Sequence, residues 1–184
     1  ITMSSELRVD RILPVDGAPT GGGGSIIQTV MGSTTTQVQT TAKTFSDSTL
    51  TATITPKFAT SKILITVAQL LRTHCSDSSL ESAGGGIRLL RGSTVIVNAR
   101  DHGAVDGSGT YGSRDFSVNA DLGAANLALV GTKSIIFLDS PNSTSAVTYK
   151  TQGRIMNTNM TLQMNPTDTV NNQPSIMILQ EVSA

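Results

Sequence analysis

Two histidines, one cysteine and a scatter of carboxylates are the only side chains in this chain that could carry chemistry. His74 and His102 both fall in stretches that read as polar loops. His102 follows Asp101 directly, and adjacent residues do not form a base and its orienting acid. No Gly-x-Ser-x-Gly elbow presents a serine nucleophile. His74, Cys75 and Asp77 lie close together, but tetrahedral zinc needs three or four ligands, and no second cysteine or histidine cluster supplies them. Glu6, Glu81 and Glu181 are the only glutamates and are far apart. A glycosidase pair would therefore need aspartates, which here sit mostly in turns, where they bond to local backbone. Met156, Met160 and Met164 could hold a soft metal, but with Leu162 they share one side of an alternating segment and read as packing residues. The sequence predicts no catalytic residue, no metal site and no cofactor.

Composition narrows the remaining classes. The chain has 184 residues, thirteen basic and thirteen acidic, with charged residues at 14% and aromatics at 3%. An average soluble domain carries about 25% charged residues. With no basic stripe and no stacking platform, the chain is not expected to bind nucleic acid. A single cysteine excludes an internal disulfide. No apolar run reaches membrane-span length, so membrane insertion is not expected. No basic-then-apolar leader is visible, which points to synthesis in a cytoplasm without a signal peptide.

The scaffold is written in period two. In Thr49–Thr55, Leu50, Ala52 and Ile54 alternate with threonines, which sends aliphatics to one sheet face and hydroxyls to the other. Pro56 and the polar Lys57–Ser61 break the run. Ile63, Ile65 and Val67 resume it, with Leu64, Thr66 and Ala68 on the opposite face. That strand is apolar on both faces at its start, which predicts a central or interface position.

Further strands are predicted at Ser25–Met31, Thr34–Thr41, Phe116–Val118, Ser134–Leu138, Ala146–Gln152, Ile155–Met164 and Ser175–Val182. A hairpin joins Ile87–Leu90 to Thr94–Val97 around Arg91–Ser93. Thr73–Gly86 and Asp101–Arg114 read as loops, Asp139–Thr144 as a turn and Asn165–Gln173 as a loop. Residues 119–131 fit either a short helix or strands. Roughly nine to eleven strands without crossover helices predict an all-β fold, an antiparallel, jelly-roll-like β-sandwich spanning residues 25–184. Residues 1–24 read as an arm. Leu7, Val9, Ile12 and Leu13 stand among charges, and the Gly21–Gly24 run makes a hinge. Such a segment suits either docking to a sheet edge elsewhere or a disordered terminus.

The blocks SSELRVDRILPVDGAPTGGGG, TITPKFATSKILI, IRLLRGSTVI, FLDSPNSTSAVTYKTQ and SIMILQEVSA resemble virion structural proteins of tailed bacteriophages, especially marine ones, of the tail-fibre or head-fibre type. The resemblance implies a surface-displayed, trimeric all-β module without enzymatic residues. It implies a location in the virion and an anchor through residues 4–15, with Leu7, Val9, Ile12 and Leu13 contacting other tail, neck or capsid proteins. Trimer packing would bury a leftover apolar face, for which Leu64, Leu70 and Leu71 are the candidates. Host-surface glycan or protein is a further possible contact. Capsid or tail decoration and a virion-borne glycan-active enzyme are the competing readings.

Overall fold

A computed structural model of the chain describes residues 24–75, 82–98, 116–119, 127–155, 159–167 and 173–183. Eleven strands and no helix occur among them. They are β1 (Ile26–Thr34), β2 (Val38–Thr40), β3 (Ser46–Ile54), β4 (Lys62–Cys75), β5 (Ser82–Arg91), β6 (Thr94–Val97), β7 (Phe116–Asn119), β8 (Leu127–Asp139), β9 (Val147–Ile155), β10 (Met160–Met164) and β11 (Ser175–Val182). All pairings are antiparallel. The arm, with Leu7, Val9, Ile12 and Leu13, lies outside the described residues, as do Asp77, Glu81, His102, Met156 and the 101–114 stretch.

The strands form two sheets, β1-β11-β4-β10-β2 with β8 on β4, and β3-β9-β5-β6 with β7 on β5. Strand β4 is the axis of the first. One edge pairs with β8 from Ile63 to Cys75. The other carries β11 along Lys62–Ala68 and β10 along Leu71–Cys75, end to end. The alternation predicted for β3 and β4 is observed. Leu50, Ala52 and Ile54 from the second sheet meet Ile63, Ile65 and Val67 from the first in one buried cluster. Leu89, Tyr149 and Ile155 join from the second sheet, and Met160, Leu162, Met164 and Leu179 from the first. Full burial is worth roughly 1.5–3 kcal/mol for each large aliphatic side chain.

Several predicted boundaries move. Strand β4 runs on to Cys75, and β5 begins at Ser82, so Ser82–Gly86 is sheet where the sequence predicts a loop. The reason is intersheet distance. A Cβ on Gly85 would sit 3.1 Å from both Arg154 O and Leu162 Cδ1, so the glycine admits the opposing sheet. The predicted five-residue Ser134–Leu138 strand is thirteen residues long, because β4 supplies a partner for each residue from Leu127 to Lys133. Within 119–131, residues 127–131 are strand. The predicted Thr34–Thr41 strand contracts to Val38–Thr40, with Thr34 belonging to β1.

The two lateral seams of the sandwich differ. At one, β1 rests on β3. A Cβ on Gly32 would fall inside contact distance of Thr51 O and 2.9 Å from Ala52 Cβ. Gln28 Nε2 donates to Thr55 O at 2.8 Å, and the Thr34 and Thr49 hydroxyls lie 3.1 Å apart. Thr49 has φ 64° at a bulge in β3, an unusual conformation for a β-branched residue. Asn165 Nδ2 holds it by donating to Ser48 O (2.8 Å) and Thr36 O (3.0 Å). At the other seam, β8 and β6 stand apart around a cleft of about 290 Å³.

Two buried acids tie the sheets together. Asp139 ends β8 and accepts from Tyr149 Oη at 2.7 Å and from Arg91 Nη1 at 3.0 Å. Burial first, and the bond to Asp139 second, push the Tyr149 phenol far above its ordinary pKa. Glu181 has no accessible surface. Its carboxylate accepts from Gln28 Nε2 (2.6 Å) and from the amides of Lys57 (2.8 Å) and Phe58 (3.2 Å), fixing the turn between β3 and β4. Burial pushes its pKa up, but these donors outweigh burial and hold it below the ordinary value of 4.5.

Gly32→Ala is expected to lower stability by about 1–3 kcal/mol through overpacking at the closed seam, read by denaturant unfolding. For Glu181, a depressed folded pKa means its contribution is complete above about pH 4.5 and is lost as pH falls through the folded value. Wild type is therefore expected to lose stability below pH 4.5 more steeply than Glu181→Gln. Parallel acid profiles would contradict this role.

Candidate assembly face

The alternation that fills the core leaves a second set of side chains on the outer side of the first sheet. Strand register places them in rows. Met31, Ile178, Thr66 and Ile136 form one row across β1, β11, β4 and β8. Thr29, Gln180, Leu64 and Leu138 form the next, and Ser33, Ile176, Ala68 and Ser134 the third. Leu70 lies beyond them, opposite Thr132. The rows contain no ionised side chain. Lys62 and Arg72 stand exposed at either end.

Exposure is concentrated at the margins. Ile136 is 73% exposed, Met31 64%, Val130 58% and Leu138 48%, whereas Leu64, Ala68, Leu70, Ile176 and Ile178 are half-buried by their neighbours. Four strands of about nine residues give a face on the order of 600 Å². Seven of the twelve positions in the three rows are apolar, so the apolar part is on the order of 350 Å², inside the 300–600 Å² usual for the largest patch on a monomer. Beyond Leu70 the face turns polar. Gln39 and Gln163 bond side chain to side chain at 3.1 Å, and Arg72, His74 and Thr161 follow. His74 is therefore a strand residue on an open surface, where the sequence predicts a loop.

Of the three leucines expected to lie outside the core, Leu64 and Leu70 are on this face. Leu71 is not. It has the inward parity of Ile63, Ile65 and Val67, and its side chain is fully buried in the core. Two consecutive leucines in a strand must point opposite ways. Ile136, Met31 and Leu138 were missed because each looks ordinary within its own strand. Only the pairing of four strands makes them neighbours.

The outer side of the second sheet is different in kind. Asp47 accepts from Gln152 (2.8 Å) and pairs with Lys150 (3.0 Å). The Gln152 bond chiefly, with Lys150 and Arg88 assisting, keeps the Asp47 pKa below its ordinary value against a smaller effect of burial. The guanidinium groups of Arg88 and Arg154 lie 4.0 and 4.7 Å from the Phe45 ring centre. This is a solvated face of mutually satisfied charges.

Among the described residues, no three histidine, cysteine or acidic side chains come together as a metal-binding group, and no helix is long and apolar enough to cross a membrane. A scan against protein-family models matches none, and a search of curated proteins finds no significant match.

Inward and outward positions are separable by experiment. Leu71→Ala is expected to cost about 2–5 kcal/mol of folding stability, whatever the protein concentration. Ile136→Ser is expected to change the stability of the isolated subunit by no more than about 0.5 kcal/mol. Denaturant unfolding across a dilution series measures both.

Proposed function

We propose that this chain is a non-enzymatic structural protein of a tailed-bacteriophage particle, a β-sandwich fibre or appendage domain that works as a homotrimer. The observation that carries the reading is the uncharged outer face of β1, β11, β4 and β8, with Ile136 as its most exposed aliphatic. The phage assignment rests on the sequence blocks quoted above. An uncharged sheet face with charges only at its ends fits another such face, and a second copy of the chain always offers one.

The threefold count is taken from the resemblance, and the uncharged face supports self-association. Three sheets facing a common axis enclose their apolar faces completely, leaving the Arg88, Arg154 and Lys150 surface outermost. A closed ring also avoids the open-ended growth that a heterologous contact otherwise gives. Three faces of about 600 Å² together withdraw on the order of 1,800 Å² from water, about 600 Å² at each of three contacts, which is small for a single pair, so closure of the ring is what holds them together.

Light scattering at micromolar concentration is expected to return three times the chain mass of 19.2 kDa. Ile136→Glu is expected to return the single-chain mass with an unchanged β-type circular-dichroism spectrum. A wild-type monomer, or an Ile136→Glu chain that stays trimeric, would refute the reading.

A further inference from the structure

Strand β4 continues past the end of its apolar residues. After Leu70 its outward positions are Arg72 and His74, about 7 Å apart on one face. Val130 of β8 and Gln163 of β10 flank Arg72, and Ala128 and Thr161 flank His74. Gln163 is already tied to Gln39. Among the described residues, neither the Arg72 guanidinium nor the His74 imidazole has a hydrogen-bond or ion-pair partner. The described strands of this sheet offer none on that side. They contain two carboxylates, Asp139 and Glu181, and both are buried with inward-facing partners. The outer face therefore carries positive charge at Lys62 and Arg72 and, among the described residues, no negative charge.

We infer that the assembled protein encloses a small tetrahedral oxyanion, of the phosphate or sulfate class, between the Arg72 and His74 side chains of its copies. This rests on the proposed ring, because closing the ring is what brings these cations together. Rotation about one axis carries every Arg72 toward the others. Like charges repel, and a cation withdrawn from water without a partner is strongly destabilising. A twofold pairing of the same faces does no better, since it sets Arg72 against either Arg72 or Lys62, cation against cation. An anion on the axis removes the conflict. Guanidinium forks fit tetrahedral oxyanions with paired N–H donors. Each His74 ring adds an N–H and each Thr161 a hydroxyl. One copy has too few of these donors to surround the ion, so the site is complete only in the assembly. Lys62 makes no equivalent site. It is the first residue of β4, and its flexible stem carries the ammonium out of the mouth into water. Arg72 stands further in, with His74 and Cys75 still to follow before the strand ends.

Equilibrium dialysis of the full chain against radiolabelled inorganic phosphate tests this, with phosphate replacing chloride at constant ionic strength and light scattering read on the same samples. The expected stoichiometry is about one phosphate for every three chains. As phosphate rises through its binding range, the ring is expected to survive at least about tenfold greater dilution, since the ion binds the ring and not the single chain. Arg72→Gln removes both the repulsion and the donors. That variant, with unchanged circular dichroism, is expected to keep the threefold mass, to bind phosphate at least about thirtyfold more weakly, and to ignore phosphate in the dilution series. A threefold wild-type mass with no bound phosphate would overturn the anion site and leave the ring standing. Phosphate bound once per chain, or bound equally well by Arg72→Gln, would overturn it too, as an adventitious ion only. A single-chain mass at every phosphate concentration would remove the ring and this inference with it.

Discussion

The constraint that organises this protein is that β4 is apolar on both sides. Ile63, Ile65, Val67 and Leu71 face the core, while Leu64, Ala68 and Leu70 face out. A strand with two apolar faces must be central, and β4 is: every residue from Ile63 to Cys75 has a partner in β8, and the other edge is shared by β11 and β10. Once β4 is central, its neighbours extend both faces. Their inward residues finish the core. Their outward residues, Ile136, Leu138, Ile176, Ile178 and Met31, enlarge a face that a lone subunit leaves wet.

Polar groups do the fastening. The chain passes repeatedly between sheets, from β2 to β3, β3 to β4, β4 to β5 and again from β7 through β10, so most contacts join residues distant in sequence. Such topologies fold slowly, since loop closure precedes reward. Three buried side chains hold the crossings once made. Glu181 gathers the amides of the β3–β4 turn, Asp139 joins β8 to Tyr149 and Arg91, and Asn165 pins the Thr49 bulge to the β1–β2 connection. Each is a charged or amide group with several partners, the arrangement in which burying polarity stabilises a specific structure.

The fold was largely legible because its signal is local. Period-two alternation in β3, β4, β9 and β11 is visible within eight residues, and the β5–β6 hairpin announces itself through Arg91–Ser93. Where a segment's conformation depends on a distant partner, the signal fails. Gly84–Gly86 read as loop although Leu162 packs on Gly85, and β8 looked short because β4, sixty residues away, completes it. The outer face was half legible. Leu64 and Leu70 point outward by parity, and Leu71 points inward by the same parity. Ile136 and Met31 required knowledge of strand order. Nothing in the sequence marks the closed seam at Gly32, where the neighbour is a backbone carbonyl of another sheet.

The central claim is that the outer face of the β1-β11-β4-β8 sheet is covered in the working protein. Met31 reports on it directly, being 64% exposed in the single chain and readily oxidised to its sulfoxide when accessible. Hydroxyl-radical footprinting with mass spectrometry should find Met31 protected at micromolar concentration and oxidised rapidly in the Ile136→Glu chain. Equal and rapid oxidation of Met31 in both would contradict the account.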